Sequence, residues 1–209
     1  MVASIVRRTC LLVLTMGALA ASLPALSPAW AQPHWVTALK SGGYVLVMRH
    51  GATHQDQADT DPLNLANVTK QRQLNDAGRA KAKEIGAAMR KLGIPVGQVT
   101  TSQYFRAIET GRLLGFGEPQ PTADVSEGGQ VVTPIENNRR TAALRKLAAT
   151  AVPGTNVVVV SHKPNILDAF GKDWFDVREA EISIFKPDGS GGYKPVARVQ
   201  ADEWAPLTQ

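Results

Sequence analysis

The chain has 209 residues, of which 44% are hydrophobic and 20% charged, and a formal net charge of +5. That balance suits one globular domain, or at most two small ones, and excludes an intrinsically disordered chain. The basic residues are scattered, with no basic run and no interleaved aromatics. Nucleic acid is therefore not an expected partner, and a local positive pocket for a small anion fits better.

The N-terminus reads as a targeting segment. Arg7 and Arg8 form a short basic region, an apolar run follows from Cys10 to about Leu23, and Ala29-Trp30-Ala31 places small residues where a signal peptidase reads them. We expect residues 1–31 to be a signal peptide and residues 32–209 the mature domain. The apolar stretch is short for a membrane anchor, and Pro24 and Pro28 break its end. The Arg7-Arg8 pair leaves a Sec or a twin-arginine route open. Cleavage before Gln32 leaves 178 residues and, with two arginines and no acids removed, a net charge of +3. Cys10 is the only cysteine, so a mature chain would have no disulfide, thiolate nucleophile or cysteine metal site. The expected location is periplasmic or secreted, without stable membrane insertion after cleavage.

In the mature chain, Tyr44 to Met48 is continuously apolar, which predicts a strand buried on both faces of a parallel sheet. Val157 to Val160 reads the same way. A helix is predicted from Asp76 to Leu92, with Ile85, Ala88, Met89 and Leu92 on one face and Gly93 and Pro95 as its stop. A second is predicted to start at Ser102 as N-cap and end near Gly115. Thr133-Pro134-Ile135-Glu136 opens a third with a capping-box pattern and proline at the first position. A short fourth runs from Pro164 to Gly171. The tail changes character: Glu181 to Phe185 alternates, Pro187 to Gly192 is turn-rich, and Tyr193 to Val199 is a further strand, together an antiparallel hairpin. The expected fold is a three-layer α/β sandwich with a mostly parallel sheet and a C-terminal antiparallel hairpin at one edge.

Ligands of open α/β sheets bind beyond the carboxyl ends of the strands. The first buried strand runs into Arg49-His50-Gly51 and the second into Ser161-His162, so both imidazoles emerge at one edge if the strands are parallel. A strand-end histidine satisfied by backbone is the ordinary reading of one such residue. Two, with an arginine beside the first, point to a site. Thr100 to Ala107 leads from a strand into a helix whose first turns carry Arg106. A helix N-terminus attracts anions, and a guanidinium there adds a bidentate clamp. Taken alone, Arg106 would more simply pair with Glu109 on the helix surface.

Arg-His-Gly after an early strand, Ser-x-x-x-Arg-Ala-x-x-Thr at a helix start and Ser-His after a late strand together resemble the histidine phosphatase superfamily, in its phosphoglycerate mutase-like branch. The resemblance implies a metal-independent phosphoric monoester hydrolase without cofactors, acting on a small phosphorylated substrate. It implies that His50 attacks phosphorus and forms a phosphohistidine, while Arg49, Arg106 and His162 hold the phosphoryl oxygens. Charge spreads over those oxygens in flight, so catalysis is mainly positioning and electrostatics. The nucleophile must present a bare ring nitrogen, and its other nitrogen should donate to a backbone carbonyl. The second histidine serves best protonated, and bound phosphate would raise its pKa.

A leaving alkoxide also needs a proton donor. In one branch of the superfamily an aspartate follows the second histidine, where this chain has Lys163. In the other a glutamate comes from the segment after the second arginine, and Glu127 is the matching residue, with a solvated loop carboxylate as its alternative. Glu136 suits the capping box, and Glu109 a local pair. The acidic or amide residue usual after Arg-His-Gly is replaced by Ala52. Residues 136–140 form a polar patch that reads as a solvated first turn rather than a substrate contact. A mutase would lack its cytoplasmic substrate outside the cell. The alternatives are a phosphohistidine-protein phosphatase, or a non-catalytic phosphate or phosphoglycan binding module on the same fold.

Overall fold

A computed structural model describes residues 33–128 and 131–209. The expected signal peptide, residues 1–31, lies outside the described residues. The elements are α1 (His34–Lys40), β1 (Val45–Arg49), α2 (Asp76–Lys91), β2 (Val96–Ser102), α3 (Phe105–Leu114), β3 (Gln120–Thr122), α4 (Pro134–Ala148), β4 (Asn156–Ser161), α5 (Lys163–Phe170), β5 (Ile182–Pro187) and β6 (Tyr193–Val199), of which α1 and β3 are not marked by the apolar pattern.

The six strands form one sheet in the order β3-β2-β4-β1-β5-β6. β1, β2, β3 and β4 pair in parallel, whereas β5 runs antiparallel to β1 and β6 antiparallel to β5. The mostly parallel sheet and edge hairpin are thus as the sequence implies. Alternating side chains of the buried strands feed two cores. Leu46, Met48, Val158 and Val160 pack with Ile85, Met89 and Leu114 on one face. Val45, Val47, Val157 and Val159 pack with Leu144, Ile166 and Trp174 on the other. Helices on both faces of the sheet make the three layers.

Helix ends follow local chemistry, with two corrections. Asn75 caps α2 by accepting from the Gly78 N–H, and Gly115 closes α3 in the left-handed conformation at φ 75°. Thr133 caps α4 by accepting from the Glu136 N–H, while the Glu136 carboxylate turns to Arg139 and Arg140, so the capping box is half formed. Ser102 does not cap α3. It is the last residue of β2, and α3 begins at Phe105. The free donor at that helix start is taken from a distance, because the Phe105 N–H donates to Gln71 Oε1 at 2.7 Å.

Gln71 belongs to a long excursion after β1, closed at its base by an isolated Thr53–Leu74 bridge. Its own polar groups hold it, with Thr60 N–H donating to Lys70 O at 2.8 Å and Gln71 Nε2 to Leu65 O at 2.8 Å. This is the behaviour of a compact surface loop folded on itself rather than of a linker. The start of α2 lies hard against the turn leaving β1. A Cβ on Gly78 would fall 2.2 Å from Ala52 O, so glycine is required there.

Candidate functional site

The register Arg49↔Ser161 aligns the ends of β1 and β4, and His50 and His162 follow one residue later on each. The His50 N–H donates to Ser161 O at 3.0 Å, continuing the ladder past the strand ends. The two imidazoles, 2% and 1% exposed, lie with ring centroids 5.2 Å apart. That separation is close to the ~4.8 Å between neighbouring strands. The sheet therefore brings together the histidines that the sequence places at two strand ends.

His50 Nδ1 lies 2.8 Å from Gly51 O. A carbonyl oxygen only accepts, so Nδ1 carries the proton and Nε2 is bare. Burial, then the neighbouring His162 and Arg106, push the His50 pKa well below 6.5, so the ring is neutral at pH 7. Thr110 fixes the turn that holds it. Its hydroxyl accepts from the Gly51 N–H at 3.0 Å and donates to Arg106 O at 2.7 Å, tying the end of β1 to α3.

Arg106 is fully buried, and its guanidinium lies 4.3 Å from the Tyr104 ring. Nη1 donates to Asp59 Oδ1 at 3.0 Å, and Nη2 contacts Glu127 Oε1. The local pair with Glu109 does not form, because Glu109 takes Arg79 of α2 at 2.8 Å. Arg49 Nη1 donates to Val177 O at 2.9 Å and Nη2 lies 3.6 Å from Glu179. Burial lowers the Arg49 pKa, with Glu179 opposing. The Nε atoms of both arginines and Nδ1 of His162 are buried without hydrogen-bond partners. Buried polar atoms in that state are few in native proteins and mark places where a ligand can be held.

His162 Nε2 lies 2.7 Å from Ser102 Oγ. Its Nδ1 is 3.3 Å from Glu127 Oε1, in a geometry that makes no hydrogen bond. Burial, then Arg106, Arg72 and Arg49, hold its pKa well below 6.5. The ring is therefore neutral at pH 7.

Glu127 is placed at the site, not in solvent, with its carboxylate against both Arg106 and His162. Its backbone is braced from the polar patch of α4: Arg140 Nη1 donates to Ser126 O at 3.0 Å, and Asn165 Nδ2 to the same oxygen at 3.1 Å. Arg140 thus has a partner inside the loop rather than a solvated role. Lys163 stands over the exposed Phe175 ring at 5.0 Å. Asp59, Gln71, Arg72 and Glu179 are the neighbours that sequence reasoning misses. All four reach the site from loops, with no periodic signal around them. Among the described residues, no group of three or more His, Cys, Asp or Glu is arranged to hold a metal ion.

Buried neutral imidazoles beside the buried Arg106 and half-buried Arg49 guanidiniums form a compact, anion-sized cradle into which His50 presents a bare Nε2. Residues 45–128, which include the first two of the three motifs, match the family model described as histidine phosphatase superfamily (branch 1). The fold is similar to that of the protein histidine phosphatase SixA complexed with tungstate, at 18% identity and a TM-score of 0.54, covering 76% of this chain and 97% of that one. It is also similar to the phosphoserine phosphatase of Entamoeba histolytica in complex with 3-phosphoglyceric acid (15% identity, TM-score 0.51, 75% and 96% covered). A mycobacterial glucosyl-3-phosphoglycerate phosphatase is a further match (15% identity, TM-score 0.51, 74% and 98% covered). At these identities the likeness establishes a shared fold. No curated protein sequence matches the chain.

Proposed function

We propose that the protein is a phosphohydrolase that cleaves small phosphomonoesters through a phosphohistidine on His50, without a metal or cofactor. The observation that carries this reading is the pair of neutral, buried imidazoles 5.2 Å apart, with His50 Nε2 bare and the buried Arg106 and half-buried Arg49 guanidiniums beside it. The match of residues 45–128 to the histidine phosphatase family model supports it. His50 Nε2 attacks phosphorus while Arg49, Arg106 and His162 hold the phosphoryl oxygens, which carry the charge of the transition state. The leaving oxygen departs with a proton from Glu127, whose carboxylate borders both Arg106 and His162. Water then attacks the phosphohistidine, Glu127 accepts the water's proton, and inorganic phosphate and free His50 result.

The N-terminal pattern of residues 1–31 supports export, and so a substrate met in the cell envelope or outside it. The test is turnover of a generic aryl phosphate with rapid acid-free quenching. Wild-type protein should release phosphate and carry an acid-labile, base-stable phosphoryl group on His50, and His50→Ala should lose both. Full activity in His50→Ala refutes the reading. Phosphate binding without turnover in the wild type would identify a binding module on the same fold.

A further inference from the structure

The second histidine is held by a chain of hydroxyls whose direction can be worked out atom by atom. Ser126 Oγ lies 2.8 Å from Thr122 O, a carbonyl that only accepts, so the single Ser126 hydroxyl proton goes there. Ser126 Oγ accepts from the Gln103 N–H at 2.9 Å. Its remaining contact, 3.1 Å to Ser102 Oγ, is a hydrogen bond only if Ser102 donates. Ser102 Oγ already accepts from the Tyr104 N–H at 3.1 Å. Its proton spent on Ser126, it can meet His162 Nε2 at 2.7 Å only by accepting. Each hydroxyl then donates once and accepts twice, its full capacity.

We infer that Ser102 and Ser126 are positioning residues that fix the neutral His162 as the Nε2–H tautomer, so that Nδ1 is the ring atom that takes a second proton and donates it to the phosphoryl group when the anion binds. Nδ1 is then the ring atom left to take a second proton: it is buried without a hydrogen-bond partner, and Glu127 Oε1, 3.3 Å away, stands where that proton would be stabilised. A proton on Nδ1 of the neutral ring would leave Nε2 as an acceptor, and Ser102 would have to abandon Ser126 to serve it. The hydroxyl of Ser102, which reads from sequence as a helix cap, is thus committed to an imidazole from another strand. The braces reach further, since Ser161 Oγ donates to Val125 O at 2.7 Å and holds the Thr122–Ser126 turn against β4.

This inference rests on the phosphohydrolase reading only for the word phosphoryl; the tautomer itself is readable without substrate. The experiment is a two-bond proton–nitrogen correlation spectrum of the nitrogen-15-labelled mature domain at pH 7.5 in phosphate-free buffer. His162 is assigned by its absence in His162→Gln. The expected result is a pyrrole-type Nε2 and a pyridine-type Nδ1. Ser126→Ala removes the acceptor of the Ser102 proton, frees that proton for Nε2, and should move His162 toward the Nδ1–H form. Ser126→Thr, which keeps the hydroxyl, should restore the wild-type pattern. A pyrrole-type Nδ1 in the wild type overturns the inference, as does an unchanged tautomer in folded Ser126→Ala. If Ser126→Ala does not fold, the wild-type spectrum decides alone. A protein with the expected tautomer that turns over no phosphoester would sink the enzymatic reading and leave this one standing.

Discussion

Replacing Glu127 by glutamine separates charge from shape at a carboxylate that touches both Arg106 and His162. Glutamine keeps the size and a carbonyl for Arg106, and Asp59 remains on the other guanidinium nitrogen. Two opposite effects should follow. A phosphoryl oxygen held by Arg106 and His162 would lie within about 4 Å of the Glu127 carboxylate. There the repulsion between unit charges is about 4 kcal/mol at an effective dielectric of ~20. The side chain is 18% exposed, and solvent and salt screen this to about 1 kcal/mol. Inorganic phosphate should therefore inhibit Glu127→Gln about fivefold more tightly than the wild type. Loss of the proton donor acts the other way, on rate. Alkyl phosphates, whose alkoxides need a proton, should lose about 10²–10⁴ in kcat, and aryl phosphates with acidic phenols should be nearly spared. Steady-state kinetics over a series of leaving groups, with phosphate inhibition measured in parallel, reads both. Equal loss across the series removes Glu127 from the acid role, and weaker phosphate inhibition refutes the electrostatic argument.

The remaining predictions concern protons, metals and processing. Both site imidazoles have folded pKa values well below their ordinary 6.5, so as pH falls below 6.5 the unfolded chain binds protons that the fold does not. Stability should be full above that pH and fall below it by about 1.4 kcal/mol per pH unit for each ring. Urea melts between pH 7.5 and 5.5 in phosphate-free buffer measure this, and a flat profile contradicts it. Turnover should persist in excess chelator, and loss restored by zinc or magnesium would overturn the metal-free mechanism. Protein recovered from the cell envelope should begin at Gln32 on N-terminal sequencing, whereas an intact Met1 on soluble cytoplasmic protein would refute export.

Arg49, His50 and His162 were legible because their signal is local: each follows an apolar run long enough to be a buried strand. The fold was legible for the same reason, since α2, α4 and α5 start and stop on side chains adjacent in sequence. What escaped depends on contacts across long stretches of chain. Asp59 meets Arg106 over a separation of 47 residues, and Gln71 caps α3 over 34. Neither lies in a periodic segment, so nothing nearby marks it. Ser102 misled for a related reason. A serine before a helix is a good cap on propensity alone, and only the position of β4 shows that its hydroxyl is already engaged. Glu109 found Arg79 rather than Arg106 because α2 packs beside α3 and the Arg106 side chain turns inward.

The distance between the two imidazoles is inherited from the ladder joining β1 and β4, not negotiated by side chains. A gauge of that kind resists drift. Exchanging one valine for another apolar residue in either strand changes how firmly the sheet is held, yet leaves the separation of the strands where backbone hydrogen bonds put it. Duplicated copies of such a gene could therefore diverge widely in what they accept without risking the transfer step. The excursion after β1 and the turn carrying Glu127 would absorb the changes, while the span offered to a tetrahedral oxyanion stayed constant. An engineer seeking a new leaving group on this scaffold should randomise those loops and leave the strand ends alone.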